Sequence, residues 1–438
     1  MLKILHTADW HLGKRLQEYT RIAEQKLVLA EICQVADQEE VDLVLLAGDI
    51  FDAFNPSHES VELLYKTLRK LSKNGNRPVI AISGNHDSIQ FVEAPDPLAR
   101  ELGILFYSRY DNIISCGALE GGIEITKSDA GFVELKLPQY QFPIRILLAP
   151  YANEVSLRTY LGEENREGAF RELLAQNWQQ LADRYCDEKG VNLFMGHFFF
   201  VDEGSSIPPD AEPESERPIL HVGGSQSLFT QQLPRQIQYA ALGHLHRYQT
   251  VSKSPCPVVY SSSPLAYSFS EADQEKNVVL IQAQPGQAVQ YKPIPLKQGR
   301  PLYRVSFDNL PDTLTWLENH PYCFVEVTYL TDESIDATTR PATPRSGSIV
   351  AALGVIKTGA GLIGACAGAG LATGAAATGA AATGAGVATT GAGGATTAAG
   401  VGCVDGAGLE TCCVALGIGG VPAFGAFAIG AEFVVPGL

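Results

Sequence analysis

Short apolar runs alternate with helical patterns over the first hundred residues, and this alternation is the feature that most constrains the fold. Strands are predicted at Leu2–Asp9, Val41–Asp49 and Pro78–Asn85, and helices at Glu18–Glu40 and Ser57–Lys73. Strands joined through a crossover helix pair in parallel, and a parallel sheet needs helices over its faces. The pattern therefore predicts an α/β domain with a mainly parallel sheet covered by helices.

The chain beyond the first hundred residues extends this domain to residue 298. Further strands are predicted at Arg145–Ala149, Val191–Gly196 and Gln238–Gly243, with a helix over Leu157–Lys189. The segment Ile207–Pro218 is rich in proline and acidic residues, so it is predicted to be a flexible surface loop. We expect residues 299–340 to begin a small α+β capping domain that is truncated. Its predicted elements are two strands and a short helix, at Leu302–Phe307, Cys323–Leu330 and Leu314–Glu318.

The composition changes sharply after Arg340. Glycine and alanine make up 50 of the 98 residues from 341 to 438, and only five residues of that tail are charged. So few bulky side chains cannot offset the entropy of ordering a chain, so the tail is predicted to be non-native or disordered. We favour a frameshifted or misassembled reading of the gene's 3′ end, in which the true capping and partner-docking helices are lost. A membrane span over Val414–Ala431 is the alternative, but 18 uncharged residues rich in glycine and alanine would insert only marginally, and we expect no membrane association.

The net charge of the whole chain is −16, which argues against a protein held to nucleic acid by bulk positive charge. Metal ions and a local basic patch can still attract DNA to an acidic protein. The N-terminus lacks the charged and apolar regions of a secretory signal, and the nine cysteines include no C-x-x-C pair. We therefore expect reduced thiols and a cytoplasmic, nucleoid-associated protein.

Five polar clusters follow predicted strands of the first domain. Loops at the carboxyl ends of such strands converge on one crevice, so residues far apart in sequence become neighbours. Aspartate, asparagine and histidine together offer oxygen and nitrogen ligands that suit Mn, Fe or Zn better than Ca. The clusters are Asp9-Trp10-His11, Gly48-Asp49-Ile50-Phe51-Asp52, Gly84-Asn85-His86-Asp87, Gly196-His197 and Gly243-His244-Leu245-His246.

Individual residues of these clusters suit particular tasks. Asp49 has two carboxylate oxygens and can bridge a pair of metal ions, which at about 3.5–4 Å apart would clamp a phosphoryl group. Asn85 offers a neutral carbonyl oxygen. His86 lies next to a ligand and, if unligated, can protonate a leaving oxygen. Lys14 and Arg15 either contact a DNA phosphate backbone or form an ordinary solvated pair.

Five segments together resemble the calcineurin-like metallophosphoesterases, and within them the SbcD nuclease subunits. The last segment, and the LGK that follows His11, distinguish SbcD from general phosphoesterases. The resemblance covers about residues 1–340. The segments are ADWHLGK at 8–14, AGDIFDAFNPS at 47–57, SGNHDS at 83–88, ALGHLHR at 241–247 and SSPLAYSFSE at 262–271.

The resemblance implies a fold and a site. The fold is a four-layer sandwich of two packed mixed sheets flanked by helices, followed by a small capping domain. The site holds two Mn²⁺ per subunit, with Mg, Fe and Zn left open, and His86 is the catalytic histidine. One metal takes Asp9, His11, Asp49 and His246, and the other takes Asp49, Asn85, His197 and His244.

The resemblance also implies an activity and a partner. SbcD proteins degrade double-stranded DNA from the 3′ end and nick single strands and hairpins. They act in DNA repair with the ATPase SbcC, as a homodimer within a heterotetramer. The family docks SbcC through charged helical sequence, which the Ala/Gly/Thr-rich tail replaces here. A phosphoesterase for nucleotides or phosphoproteins and a metal-free scaffold are the alternative functions.

Overall fold

The computed structural model describes residues 1–17, 19–152, 157, 166–203, 227–331, 351–358, 410–418 and 427–435. The chain divides into two compact units, Met1–Arg300 and Pro301–Leu438. The predicted loop Ile207–Pro218 lies outside the described residues.

The first sheet of unit 1 has six strands in the order β18-β17-β1-β4-β5-β6. Strands β1, β4 and β5 pair in parallel, as predicted. The structure adds β6, which was not predicted, parallel to β5, and β17 and β18 as antiparallel strands beside β1. Their bounds are β1 Leu2–Thr7, β4 Leu43–Ala47, β5 Val79–Ile82, β6 Ile104–Tyr107, β17 Asn277–Ala283 and β18 Gln290–Pro295.

The second sheet has eight strands in the order β15-β16-β14-β11-β10-β9-β8-β7. The four central strands β16, β14, β11 and β10 are parallel, and the remaining pairs are antiparallel. Their bounds are β7 Gly117–Ala118, β8 Glu124–Asp129, β9 Phe132–Lys136, β10 Ile144–Ala149, β11 Val191–His197, β14 Tyr239–Gly243, β15 Gln249–Ser252 and β16 Val258–Tyr260. Two short ladders join β2 Arg15–Leu16 to β3 Tyr19–Thr20 and β12 Phe200–Val201 to β13 Leu228–Phe229.

Three apolar clusters show how unit 1 is layered. One joins the inner faces of the two sheets, a second joins the first sheet to α1 and α2, and a third joins the second sheet to α5. This is the predicted four-layer sandwich of two mixed sheets flanked by helices. The helices are α1 Ile22–Gln38, α2 His58–Leu71, α3 Ile89–Glu93, α4 Asp96–Glu101 and α5 Arg166–Tyr185, with 3₁₀ turns at Lys73–Gly75, Glu120–Gly122, Thr230–Gln232 and Phe269–Glu271.

Strand β4 shows why its sequence must be apolar throughout. Successive side chains of a strand point to opposite faces of the sheet. Leu43 and Leu45 lie in the cluster between the sheets, whereas Val44 and Leu46 pack toward α1 and α2. Both faces are covered, so every residue of the strand is buried.

Several predicted boundaries were too wide, and the structure gives the reasons. Strand β1 ends at Thr7 because Asp9 has a left-handed backbone, with φ 54°, and cannot continue the strand. Helix α1 begins at Ile22 instead of Glu18, since Tyr19 and Thr20 pair with β2. Of the helix predicted over 157–189, the structure describes α5, and residues 158–165 lie outside the described part.

Unit 2 has its own five-stranded sheet, in the order β19-β20-β21-β23-β22. Its small apolar cluster includes Leu317, Cys323 and Val325. The predicted strand Leu302–Phe307 has the predicted bounds, and the helix is longer than predicted. The elements are β19 Leu302–Phe307, α6 Leu310–Asn319, β20 Phe324–Thr331, β21 Ala351–Thr358, β22 Glu410–Ile418 and β23 Phe427–Val435.

Three of these strands belong to the low-complexity tail, and the rest of that tail lies outside the described residues. The prediction that residues 341–438 are not a native domain stays a prediction. Within the described part of the chain, every helix is too short or too polar to cross a membrane.

Candidate metal centre

Two loops that follow parallel strands of the first sheet run side by side and carry the first three candidate ligands. The backbone N–H of Asp9 donates to the carbonyl of Gly48 at 3.0 Å, and that of His11 donates to the carbonyl of Asp49 at 2.9 Å. Asp9, His11 and Asp49 all have left-handed backbones, with φ of 54°, 42° and 48°. Non-glycine residues rarely adopt this conformation, so the pairing of the two loops holds a strained backbone in place.

The first group of candidate ligands consists of Asp9, His11 and His246. All three are buried, and they offer ligand atoms that lie within 4.8 Å of one another. The Nε2 atoms of His11 and His246 are 3.0 Å apart. The second histidine comes from the loop after β14 of the second sheet, so both sheets contribute to the group.

The second group consists of Asp49, Asn85, His197 and His244. His197 donates its Nδ1–H to the carbonyl of Ala47 at 2.8 Å, which leaves its Nε2 directed at Asn85 Oδ1, 3.0 Å away. His244 Nδ1 also lies 3.0 Å from the same oxygen. An amide oxygen and a neutral imidazole nitrogen are both acceptors, so a proton or a metal cation must lie between them to stabilise the contact.

Asp49 lies between the two groups. Its Oδ2 atom is 3.4 Å from His11 Nε2 and also 3.4 Å from His197 Nε2. One carboxylate oxygen therefore faces a ligand nitrogen of each group. This is the arrangement expected of a bridging ligand.

The charges of the site favour bound cations. Burial raises the pKa of Asp9 to about 7 and lowers that of His11 to about 3. Burial also opposes ionisation of Asp49, but the charges of His197 and His11 hold its pKa well below the ordinary value. Burial lowers the pKa of His197, but the charge of Asp49 outweighs burial and raises this pKa to about 9.

Unsatisfied polar atoms provide a separate test of whether divalent ions fit. Among the described residues, Asp9 Oδ2 and Asn85 Nδ2 are buried and make no hydrogen bond. Asp9 Oδ2 in particular is a buried acceptor without a donor, which is costly unless a cation contacts it. The donor set of carboxylate, amide and imidazole suits a transition metal. The residues present therefore fit a divalent metal centre.

Two glycines allow the loops to come this close. A Cβ atom on Gly84 would lie 2.1 Å from Asp49 Oδ1, and one on Gly243 would lie 1.9 Å from the carbonyl oxygen of Ala47. Both contacts are too short for any side chain. The glycines beside the candidate ligands thus permit close backbone approach.

His86 belongs to neither of these two groups, but it forms a further group with His11 and Asp52 whose ligand atoms lie within 4.8 Å of one another. Its backbone N–H donates to Asp49 Oδ1 at 2.9 Å, and its ring packs edge-on against His11 with centroids 4.8 Å apart. Its Nδ1 is 3.1 Å from the backbone carbonyl of Asp52, which can only accept. Nδ1 therefore carries a proton, and Nε2 is the atom that can exchange one with a substrate.

The two residues of the predicted basic pair, Lys14 and Arg15, have different surroundings. Lys14 Nζ lies 2.7 Å from Asp52 Oδ1, so its charge is already paired with a carboxylate. Arg15 is exposed and lies on the short strand β2. DNA contact by either residue stays a prediction.

Sequence reasoning missed three residues that hold the site together. Asp87 accepts backbone hydrogen bonds from Ile50, Phe51 and Gly84 at 2.8–3.0 Å, which joins two ligand loops. Burial raises the pKa of Asp87 to about 6. The sequence did offer one indication of this role, since Asp87 belongs to the cluster Gly84-Asn85-His86-Asp87.

The other two missed residues are Gln25 and Glu271. The Gln25 side chain donates to the carbonyl of His11 at 2.8 Å and accepts from Gly13 N at 3.0 Å. Burial opposes ionisation of Glu271, but Lys276 and His246 hold its pKa below the ordinary value. The sequence gives no sign of the role of Gln25, which lies within a helical pattern. Glu271 could have been noticed, because it ends the family-specific segment SSPLAYSFSE.

Known proteins resemble this chain over the same region. The family model of the calcineurin-like phosphoesterases matches residues 2–248. The SbcD subunit of the SbcCD nuclease of Bacillus subtilis is 32% identical over 322 residues, which cover 72% of this chain and 75% of that protein. The SbcD subunit of the SbcCD nuclease of Rhodobacter capsulatus is 32% identical over 323 residues, with the same coverage of 72% and 75%.

A crystal structure of a dimetal phosphatase from Danio rerio covers 68% of this chain and 99% of its own, at 12% identity and a TM-score of 0.33. That likeness is too distant to support an argument. The family model covers more than half of the chain, and the two bacterial relatives are 32% identical over 72% of it, which is enough to assign the family. This chain belongs to the calcineurin-like phosphoesterases and, within them, to the SbcD subunit family, and it is a metal-dependent phosphoesterase.

Proposed function

We propose that this protein hydrolyses phosphodiester bonds of DNA with two divalent metal ions, manganese being the expected one. The position of Asp49 carries the proposal, because one of its oxygens lies 3.4 Å from a histidine nitrogen of each ligand group. Two clusters of ligands that share a carboxylate are suited to a pair of metals. The buried, unpaired Asp9 Oδ2 supports the same conclusion.

The ligand sets follow from the two groups. Asp9, His11, Asp49 and His246 would hold one ion, and Asp49, Asn85, His197 and His244 would hold the other. When bound, the ions supply positive charge that polarises a phosphoryl group and favours ionisation of the attacking water. The surrounding hydrogen bonds, such as that from His197 Nδ1–H to Ala47, fix which ring nitrogen faces the ions.

His86 is the proposed catalytic residue. Its Nδ1–H remains bound to the carbonyl of Asp52 at 3.1 Å, so the ring cannot rotate freely. In the doubly protonated form, Nε2 donates its proton to the oxygen that leaves the phosphorus. The ring then returns to the neutral form with Nδ1 protonated. Proton transfer of this kind contributes roughly 10²–10⁴-fold to a rate.

The substrate and partner are proposed from the relatives. Both bacterial relatives are named as the SbcD component of an SbcCD nuclease, and that name joins a C component to a D component. We therefore propose exonuclease activity on double-stranded DNA ends and endonuclease activity on single strands and hairpins. The ATPase SbcC is the proposed partner of the family, in an assembly that contains a dimer of each protein, and the Ala/Gly/Thr-rich tail of this chain is proposed to weaken that docking. Lys14 and Arg15 are the proposed DNA contacts beside the site.

A substrate comparison tests this proposal. Purified protein should cleave a DNA hairpin when Mn²⁺ is present, and EDTA should abolish cleavage. Phosphoserine peptides and cyclic nucleotides should be poor substrates under the same conditions. The proposal is falsified if the protein hydrolyses those small substrates far faster than any DNA.

A further inference from the structure

The segment 262–271 distinguishes this family from general phosphoesterases, and the structure places it against the first ligand group. The ring of Tyr267 packs edge-on against His11 and His246, with centroid distances of 5.6 and 6.2 Å. The Tyr267 hydroxyl also donates to the backbone carbonyl of Trp10, the residue before His11. The segment thus contacts both histidines whose Nε2 atoms face each other.

Glu271 is the residue of this segment whose side chain hydrogen-bonds the ring of a candidate ligand. Its Oε1 lies 3.2 Å from His246 Nδ1 and also accepts from the backbone N–H of Tyr267 at 3.2 Å. A carboxylate oxygen only accepts, so His246 must carry its proton on Nδ1. In the neutral ring, the lone pair is then on Nε2, which is the atom 3.0 Å from His11.

Lys276 holds the other oxygen of this carboxylate. Its Nζ donates to Glu271 Oε2 at 2.6 Å, to the carbonyl of His246 at 2.8 Å and to Ser263 Oγ at 3.1 Å. Glu271 is 2% exposed and Lys276 7% exposed, so water does not compete for these contacts. The Lys276 ammonium thus contacts both the Glu271 carboxylate and the backbone of His246, the histidine whose ring this carboxylate contacts.

We propose that Glu271 is a positioning residue that fixes the tautomer of His246, with Lys276 fixing the carboxylate in turn. The inference rests on the proposed function, because it assumes that His246 is a metal ligand through Nε2. Ligating histidines elsewhere commonly donate their second ring N–H to a carboxylate, and loss of that carboxylate typically weakens metal binding by about 10–100-fold.

The variant Glu271→Gln tests the inference because it keeps the size of the side chain. Lys276 can only donate, so it would take the amide oxygen of the new side chain. The amide NH₂ would then face His246 Nδ1 and favour the tautomer with its proton on Nε2. We expect calorimetric titration of the metal-free protein with Mn²⁺ to show one uptake step weakened by about 10–100-fold.

Two further variants separate positioning from general loss of structure. Glu134→Gln removes another buried carboxylate, one that contacts Arg145 and Thr126, and it should leave Mn²⁺ affinity unchanged. His246→Ala should itself weaken one uptake step. In that background Glu271→Gln should cause no additional loss, because the ring that it orients is gone.

Each other outcome overturns the inference in a recognisable way. Wild-type affinity in Glu271→Gln, or an equal loss with and without His246, would show that the carboxylate does not act through the ring. Unchanged Mn²⁺ uptake in His246→Ala would overturn the ligand assignment of the proposed function, and the inference with it. If Glu271→Gln does not fold, Glu271→Asp keeps the charge for Lys276 while drawing back from His246, and wild-type affinity there would overturn the inference.

Discussion

Several candidate ligands of this site have left-handed backbone conformations, and hydrogen-bond acceptors fix the tautomers of its histidines. His244 has φ 106° and, like Asp9, His11 and Asp49, leaves its strand in a conformation that most residues avoid. The chemistry of these side chains was readable from their types and from their positions after strands. The tautomers were not, because they depend on partners such as Ala47 and Glu271 that no spacing pattern indicates.

Asp49→Asn and His86→Ala should fail differently. Asp49 lies 3.4 Å from His11 in the first ligand group and from His197 in the second. Loss of its charge should therefore weaken Mn²⁺ binding and abolish DNA cleavage together. Loss of His86 should preserve Mn²⁺ uptake and reduce the cleavage rate by roughly 10²–10⁴-fold. Calorimetric titration and a hairpin nuclease assay measure the two effects.

The control for these variants is His58→Ala, which removes an exposed histidine at the start of α2. It should change neither quantity. Equal loss of Mn²⁺ binding in the Asp49 and His86 variants would contradict the separate roles.

Whole elements were predicted better than their ends. The parallel strands β4 and β5 are apolar on both faces, and this pattern requires cover on both sides. Their ends depend on where individual backbones turn, and that is decided by contacts between loops. The hydrogen bond from His11 N to Asp49 O is one such contact, and it joins residues 38 positions apart.

Glu24 on α1 provides a test of one element contact through pH. Its side chain pairs with Arg21 and accepts from Arg300 N at 2.7 Å, and it is almost fully buried. Burial opposes its ionisation, but Arg21 and Arg300 lower its pKa below the ordinary value. A lowered pKa stabilises the fold above the unfolded-state pKa of glutamate, and that stability is lost as pH falls through the folded-state pKa.

Glu24→Gln should therefore lower the free energy of unfolding at pH 7 by on the order of 3 kcal/mol, because it removes the buried carboxylate charge that pairs with Arg21. The difference from wild type should shrink as the pH falls below the ordinary pKa of glutamate. Urea unfolding in EDTA at several pH values measures it. The exposed Glu62→Gln serves as control and should not change stability, and a Glu24 effect independent of pH would contradict the explanation.

At the scale of the molecule, the sequence pattern by itself predicted one sheet with helices, and the family resemblance supplied the second sheet and the layering. The second sheet could not be predicted from local patterns because strand pairing depends on contacts between residues far apart in the sequence. Strand β17 pairs with β1 so that Leu2 faces Ala283, and no local pattern encodes such a contact. The metal centre likewise needs residues from both sheets. That these residues come together could be inferred only from the order of the five polar clusters along the sequence.

The last prediction concerns residues 341–438, which contain 50 glycines and alanines among 98 residues. All proposed metal ligands and His86 lie within Met1–Arg300, the first compact unit. A chain that ends at Arg340 should therefore keep its Mn²⁺ affinity and its hairpin cleavage rate. Association with SbcC, measured by gel filtration of the mixed proteins, should be poor with and without the tail.

The strands β21, β22 and β23 define the outcome that would contradict this prediction. If they complete a working sheet with β20, their deletion should destabilise unit 2 and lower nuclease activity or SbcC binding. A chain shortened only to residue 409, which keeps β21 and removes β22 and β23, is the intermediate control. Resequencing of the 3′ end of the gene tests the frameshift directly. Confirmed sequence together with activity lost on deletion would establish the tail as part of the enzyme.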